Sequence, residues 1–582
     1  MNTKALFGLA LLAAPCLVSC SVEDQELPAE ELYTRQFYKE FGLVDKNQDW
    51  NVVEQKSLTF DVANPTHVKI YELQGDEYRL AADYENVTSG QTITFDGMEG
   101  DDESFIVSLD GKMVSAKNGQ TVTMKSSVGG ILKSSAVPEN YSSYVEKTGA
   151  TDISLVGDDD DLKHLSLDGE KGKDNIKYLT KDNYFVQVSN DPYYTYYPVY
   201  WNSTKKHTVG IFYTDADGKQ VEFPVYKDHE GDELSFYFNP NQGTSGTAGY
   251  QTVTADNCVS LEGYTVDTKY PVQSKGYKVK LGAGIVYGMY VEVDGKKYYS
   301  AAQMNKDGKS YFAYHMYRKT DATTGQTTTR TYLMFDDPET VDGNGDGDYN
   351  DLVFYIPEEL KPISDQSVGW TVACEDLGGT FDFDFNDLVF RVYHTSGYNF
   401  ATVQPLAAGG TLPAYLSLKT LDGTAKATKE WHQYFGNGYD SGTMINTYNL
   451  TETDNNWVIT IKGVGTNWSM SNFASTLSEA GGFTIDVTQA DGTKTSIIGP
   501  TPNSDTPSMP QILVLPLKWA WPKELQHISD KAYTGNGTIP SFRDWAKYKN
   551  KTSWVDYNNG NVLYYDGLQY SQAKTEVITV SK

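Results

Sequence analysis

One short pattern constrains this chain more than any other: Asp-(Tyr/Phe)-Asn-Asp-Leu-Val-Phe occurs at Asp348–Phe354 and again, thirty-six residues later, at Asp384–Phe390. In both copies turn-forming polar residues run straight into Leu-Val-Phe, so a tight turn must feed a buried strand. A further aspartate stands two positions earlier, Asp346 and Asp382, and an acidic pair lies upstream, Asp336-Asp337 and Glu375-Asp376. A chain that repeats a turn-and-strand unit at this spacing must be β-rich around it.

The rest of the sequence agrees. Short alternating runs such as Leu58–Val62, Val68–Tyr71, Thr92–Phe95, Phe105–Val107 and Thr121–Met124 are separated by turns such as Asp110-Gly111. Tyrosine is abundant, 43 in 582 residues, which suits strands better than helices. The expected fold class is mainly β: several sandwich modules of jelly-roll or immunoglobulin-like type, a short N-terminal helix and a few C-terminal helices. At this length several domains are expected. Residues 1–20 read as a lipoprotein signal peptide and 21–50 as an acidic tether with a short helix. A small β-sandwich (51–128) and a polar linker (129–180) follow. A β domain (181–360) ends in the first acidic turn, and a last domain (361–582) begins with the second. Leu32, Tyr33, Phe37, Tyr38 and Phe41 recur at helical spacing and stop at Gly42, and further helical stretches are expected near Pro522–Lys531 and Ser541–Lys547.

The acidic turns point to a cation. Seven carboxylates fall between Asp336 and Asp351 and five between Glu375 and Asp387, with no Lys or Arg from Thr331 to Leu360 or from Pro362 to Phe390. So much like charge in one loop is repulsive unless something separates it. Carboxylates joined by an Asn carbonyl form the oxygen set that Ca²⁺ takes, and without His or Cys among the ligands zinc, copper and iron are poor candidates. The candidate ligands are Asp336, Asp337, Asp346, Asp348, Asn350 and Asp351 in the first turn. In the second they are Glu375, Asp376, Asp382, Asp384, Asn386 and Asp387. The competing explanation is a set of Asx turns whose acids face solvent. Asp45-x-Asn47-x-Asp49 is a weaker case: it lacks the glycine and terminal glutamate of an EF-hand loop, and an Asx turn explains it equally well.

The N-terminus sets the compartment. Lys4, the apolar run Ala5–Ala14 and Leu17-Val18-Ser19-Cys20 resemble the lipobox of bacterial lipoproteins, which implies lipidation at Cys20. Glu23, Asp24 and Glu26 are similar to the acidic signal that exports some lipoproteins to the cell surface. The expected location is the outer membrane, facing the exterior, with the lipid as anchor. The net charge of −29 argues against nucleic acid as a partner. Cys258 and Cys374 either pair or remain free thiols.

Two regions resemble known families. Gly284-x-x-x-Gly288-Met289-Tyr290, Tyr299-Ser300, Asn305-x-Asp307-Gly308 and Phe335-Asp336-Asp337 to Phe354 look like a β-rich domain of unassigned function in exported bacterial proteins. The second acidic turn, Glu430–Gly436, Leu515–Glu524, Ile528, Ala532-Tyr533 and Phe542-x-x-Trp545 resemble the LruC-type domain of outer-membrane lipoproteins. The resemblance spans Gly210–Phe354 and Trp370–Tyr565 and implies a surface lipoprotein, with no established activity. The first turn departs by its extra Gly343-Asn344-Gly345.

No catalytic constellation is expected. His229-Glu230 lacks the second His of a zincin helix, no Gly-x-Ser-x-Gly elbow occurs, and His432 beside Trp431 reads as a structural histidine. The expected function is binding, adhesion or scaffolding of a protein or glycan at the cell surface. Tyr196, Tyr197, Trp201, Trp519 and Trp521 are candidate aromatic platforms for sugar rings, against the plainer reading that they fill a β-core.

Overall fold

The computed structural model describes residues 27–124, apart from 76 and 101–103; the strands and adjoining turns between 145 and 356; and 363–581 with breaks at 378–380, 437, 452–456, 467, 473–481, 498–508, 530–540, 557–561 and 566–573. Cys20, the acidic residues after it, Asp346 and Cys258 lie outside the described residues. The protein is mainly β, built from separate sheets stacked around distinct apolar cores.

The small sandwich forms from alternation. In Val53–Val62 the buried side chains Leu58, Phe60 and Val62 take one face, because successive strand residues point to opposite sides. This strand lies between Thr92–Met98 (antiparallel) and Thr121–Met124 (parallel). The facing sheet runs Ile363–Ser367, Glu77–Val87, Thr66–Gln74, Phe105–Leu109, Lys112–Ala116. The Asp110-Gly111 turn has positive φ at both residues (49° and 83°), as a type I′ hairpin requires. One edge strand, Ile363–Ser367, comes from the start of the expected last domain and pairs in parallel with Glu77–Val87. The sandwich is therefore completed by a segment nearly three hundred residues downstream.

The middle region stacks a nine-stranded sheet on a five-stranded one around Tyr196, Val209, Ile211, Met289, Leu333, Leu352 and Phe354. Val145–Ile153 pairs antiparallel with Val272–Lys280, so the expected 129–180 linker contains a strand. Few apolar residues mark it, and only the distant partner makes it a strand.

The last region holds a six-stranded sheet: Ile512–Pro516, Gly369–Cys374, Leu388–Tyr393, Phe400–Ala407, Trp457–Lys462 and Lys574–Thr579. A four-stranded sheet (Ala425–Ala427, Ala414–Lys419, Phe483–Thr488, Lys494–Ile497) completes the same core. The N-terminal helix Ala29–Phe41 ends at Gly42, whose φ of 80° and N–H bond to the Tyr38 carbonyl close it. It is not part of a tether: Tyr33, Phe37, Phe41 and Trp50 are buried in this C-terminal core. Beyond it, Asp45 and Asp49 accept the N–H groups of Asn47 and Asn51, and Lys549 reaches Asp49 at 2.7 Å, so this turn is an Asx structure held by an ion pair.

The helix Phe542–Lys547 starts at a Ser541/Asp544 capping box. No helix forms over the described part of Pro522–Lys531. Trp521–Pro522 pairs instead with Val562–Leu563, and turns follow, with Leu525 at φ 59°. Among the described residues no helix is long and apolar enough to cross a membrane. Cys374 is a buried free thiol.

Candidate metal centre

The two acidic turns share a conformation as well as a sequence. Gly347 and Tyr349 have positive φ (73° and 56°), and their equivalents Phe383 and Phe385 do too (51° and 52°), with Phe381 preceding them at 48°. Left-handed backbone at a bulky residue is strained by about 1–3 kcal/mol, and such strain persists where the surroundings fix it. Here it alternates with the acidic positions. The rings of Phe383 and Phe385 enter the core, while Asp382 and Asp384 gather with Glu375 outside it. In both copies the carboxylate of the fourth motif residue caps the upstream pair: Asp351 Oδ2 accepts the Asp337 N–H at 2.5 Å, and Asp387 Oδ2 accepts the Asp376 N–H at 2.7 Å. The Asn N–H donates to the preceding aspartate in each, Asn350 to Asp348 at 3.1 Å and Asn386 to Asp384 at 3.3 Å.

The acids do not face solvent. Asp336, Asp337, Asp348, Asn350 and Asp351 are buried, as are Glu375, Asp376, Asp384 and Asn386; Asp382 and Asp387 are half-buried. The solvated Asx-turn alternative fails on this burial.

The second turn is the tighter charge cluster. One carboxylate oxygen each from Glu375, Asp382 and Asp384 lies within 4.8 Å of the others, so these three side chains could hold a metal ion. Burial, followed by Asp387, Asp384 and Asp382, holds the Glu375 carboxyl well above the usual carboxylate range. Burial and then Asp382 and Glu524 do the same to Asp384, and burial and Asp376 to Asp387; burial also raises Asp382. The charges acting on this set are themselves carboxylates. An ionised cluster of this kind needs a cation to be stable.

Surrounding chain holds the oxygens in place. Glu375 Oε1 accepts the Phe385 N–H at 2.8 Å, and Asp384 Oδ2 accepts the Leu525 N–H at 2.9 Å. Asn386 Nδ2 donates to the Pro522 carbonyl, while its buried Oδ1 has no hydrogen-bond partner. Gly409 and Gly410 press against the turn. A Cβ at Gly409 would sit 2.2 Å from Asn386 Oδ1, and one at Gly410 would sit 2.5 Å from Asp376 Oδ2. The His432 ring links Glu430 Oε1 (2.6 Å) to the Gly410 carbonyl (2.9 Å), so this histidine buttresses the glycine pair. Gly-Gly is the sequence signal for that close approach.

The first turn is neutralised differently. Lys205 Nζ lies 3.3 Å from Asp337 Oδ1 and 3.9 Å from Asp294, and His207 Nε2 lies 3.9 Å from Asp337 Oδ2. The segment is free of basic residues in sequence, but the fold brings Lys205 in from a distant strand connection. Asp336 accepts the Gly347 N–H at 3.1 Å. Among the described residues the first turn forms no comparable three-carboxylate group.

The aromatic candidates fall elsewhere. Tyr196 is buried, with its hydroxyl bonded to that of Tyr287, and Trp519 and Trp521 are buried in the C-terminal core. Trp521 Nε1 donates to the Asn446 carbonyl, and the Trp519 ring meets Trp554 edge-on. These three rings are core packing and present no sugar platform, because β-rich cores bury their largest rings. The side chains of Tyr197 and Trp201 lie outside the described residues.

No protein-family model matches the chain, and no curated protein matches it. A solved structure from Bacteroides ovatus, provisionally described as a lipoprotein, aligns over 45% of this chain and 75% of its own, with 17% identity and a TM-score of 0.08. That likeness is too weak to carry any argument.

Proposed function

We propose that this chain is a lipid-anchored protein of a bacterial outer membrane whose β-modules, stiffened by bound calcium, act outside the cell as an adhesion or scaffold unit. The observation that carries the reading is the convergence of Glu375, Asp382 and Asp384, three carboxylates with no His or Cys among them. Calcium favours such an all-oxygen set, and opposite ligands of a calcium ion stand about 4.8 Å apart. Magnesium asks for a smaller, near-octahedral cage and keeps more of its water. The ion's role is structural: it joins the end of strand Gly369–Cys374 to the turn that opens strand Leu388–Tyr393.

The anchor rests on Leu17-Val18-Ser19-Cys20 and the acidic residues behind it. Calorimetric titration of the full chain in mild detergent tests the ion, with saturable heat expected for Ca²⁺ and far weaker binding for Mg²⁺. Membrane fractionation tests the anchor: Cys20→Ala moves the protein from the membrane to the soluble fraction. A wild type that binds no calcium sinks the first half of the proposal, and a Cys20→Ala protein that stays with the membrane sinks the second. A glycan array with the same protein separates sugar binding from protein scaffolding.

A further inference from the structure

Two segments of the C-terminal module carry large apolar side chains out into solvent side by side. The Glu524 N–H donates to the Thr447 carbonyl at 2.8 Å, so the residues that follow each, Leu525 and Tyr448, stand on adjoining pieces of chain. Leu525 is 62% exposed, Tyr448 55%, and Leu450, in the same loop as Tyr448, 47%. That loop is closed by the Asn446 side chain, which accepts the Thr451 N–H, and from Asn446 to Thr451 it holds no charged residue in a chain of net charge −29. Its geometry is fixed. Leu525 and Asn446 are both left-handed (φ 59° and 57°), and each is tied down: the Leu525 N–H donates to Asp384 Oδ2 at 2.9 Å, and the Asn446 carbonyl accepts Trp521 Nε1 at 2.8 Å. Strain of this kind at a leucine persists only where the surroundings impose it, and here it serves to present the side chain rather than to bury it. Grouped exposed apolar side chains mark contact with a protein or a membrane.

The length of chain before the helix favours the membrane. Nine residue steps separate Cys20 from Ala29, so a lipidated Cys20 stands at most about 30 Å from the start of the N-terminal helix. The helix itself is about 20 Å long and is packed into the C-terminal core. At its far end the Phe41 ring stacks on His527 at 5.2 Å, two residues from Leu525. So short a leash, fixed to this module, keeps the module near the bilayer. We propose that Tyr448, Leu450 and Leu525 form the surface by which the C-terminal module rests on the bilayer that holds Cys20, an assignment that rests on the lipid-anchor reading above. The side chains suit a lipid interface: the leucines enter the acyl boundary, the tyrosine sits at headgroup level, and the loop has no charge to strip of water.

The test places the full lipidated chain in phosphatidylcholine vesicles, with an environment-sensitive fluorophore on a cysteine introduced by Leu525→Cys or Leu450→Cys. Cys258→Ser in every protein removes a competing thiol, and Cys374 is buried. Leu421→Cys is the control, 64% exposed on the turn that joins Ala414–Lys419 to Ala425–Ala427. On vesicles the labels at 525 and 450 shift their emission to shorter wavelength and are quenched by nitroxide-bearing lipid, while the label at 421 still reports water. Labels at 525 and 450 that report water while the protein sediments with the vesicles overturn the proposal and leave the surface to a protein partner. Equal shifts at all three positions overturn it as well. A protein that does not sediment with the vesicles fails the anchor reading and this one with it, so the two failures are distinguishable.

Discussion

Asp387 accepts the backbone N–H of Asp376 through Oδ2 at 2.7 Å, and so ties the strand that opens after the acidic turn to the acidic pair before it. The same link joins Asp351 to Asp337 in the first turn. The repeat thus preserves a hydrogen bond that closes the loop, and a charge that must be compensated. Substitution separates the two. In chelator, Asp387→Asn keeps an acceptor oxygen, removes a charge and leaves stability unchanged or higher. Asp387→Ala leaves the Asp376 N–H without its partner and costs about 1–3 kcal/mol. Urea denaturation of both variants checks the order; equal stabilities would contradict it.

Gly410→Ala drives a methyl group into Asp376 Oδ2 and towards the Asp387 Cβ at 3.3 Å. His432 and Glu430 hold the glycine carbonyl, so the backbone cannot retreat without breaking that link. The expected cost is about 1–3 kcal/mol, with weaker calcium binding. Gly423→Ala is the control for introducing a side chain, since Gly423 stands in a turn where a Cβ meets nothing within 4 Å. Its φ of 82° brings only local strain and no change in Kd. Thermal melts and calcium titrations read both.

The N-terminal helix grips the second turn. The rings of Tyr33, Phe37 and Phe41 stand 5.2, 5.7 and 5.6 Å from that of Phe383, the left-handed residue between Asp382 and Asp384. Phe37→Ala removes the middle ring and should cost about 3–5 kcal/mol. The loss falls on the C-terminal module, so limited proteolysis should cut there at lower denaturant than in the wild type, with the small sandwich unaffected. Cleavage confined to the small sandwich would contradict the packing.

Two buried titratable groups, Asp96 and His394, line one small cavity between the first sandwich and the C-terminal module. Burial pushes Asp96 up to about 6, against hydrogen bonds from Ser469 and the Met470 N–H. Burial pushes His394 down to about 4, against a bond to the Tyr398 carbonyl. The folded state binds fewer protons than the unfolded one at His394, so its contribution is present above about 6.5 and is lost as pH falls towards 4. Asp96 has the opposite sign: the folded state binds more protons, and stability falls as pH rises from about 4 to 6. The two partly cancel. His394→Gln should therefore gain stability relative to wild type between pH 7 and 4.5, and Asp96→Asn should lose it, in urea melts at the two pH values. Parallel curves for all three proteins would contradict the assignment.

Much of this was legible in the sequence because it is local. The strand runs, the Asp110-Gly111 hairpin, the end of the helix at Gly42 and the duplicated turn all follow from residues close together in the chain. The three carboxylates that the second turn brings together, Glu375, Asp382 and Asp384, were legible for the same reason, as they lie close together in the chain. Features made by distant chain were not. Nothing near Lys205 marks it as the cation beside Asp337, and Ile363–Ser367 carries no sign that it completes a sheet begun at Thr66. The helical spacing of Tyr33, Phe37 and Phe41 shows an apolar face but not which module it covers. Trp519 and Trp521 look like a binding surface until the core that surrounds them is known.

The central claim is that the cluster at Glu375, Asp382 and Asp384 is completed by calcium. It is tested most directly by the melting temperature of the full chain with calcium and with chelator, for wild type and Asp384→Asn. A bound ion stabilises the folded state by mass action. The wild type should melt several degrees higher with calcium, and Asp384→Asn should lose most of that difference while matching or exceeding wild type in chelator. A wild-type melting temperature that does not move between calcium and chelator would contradict the account.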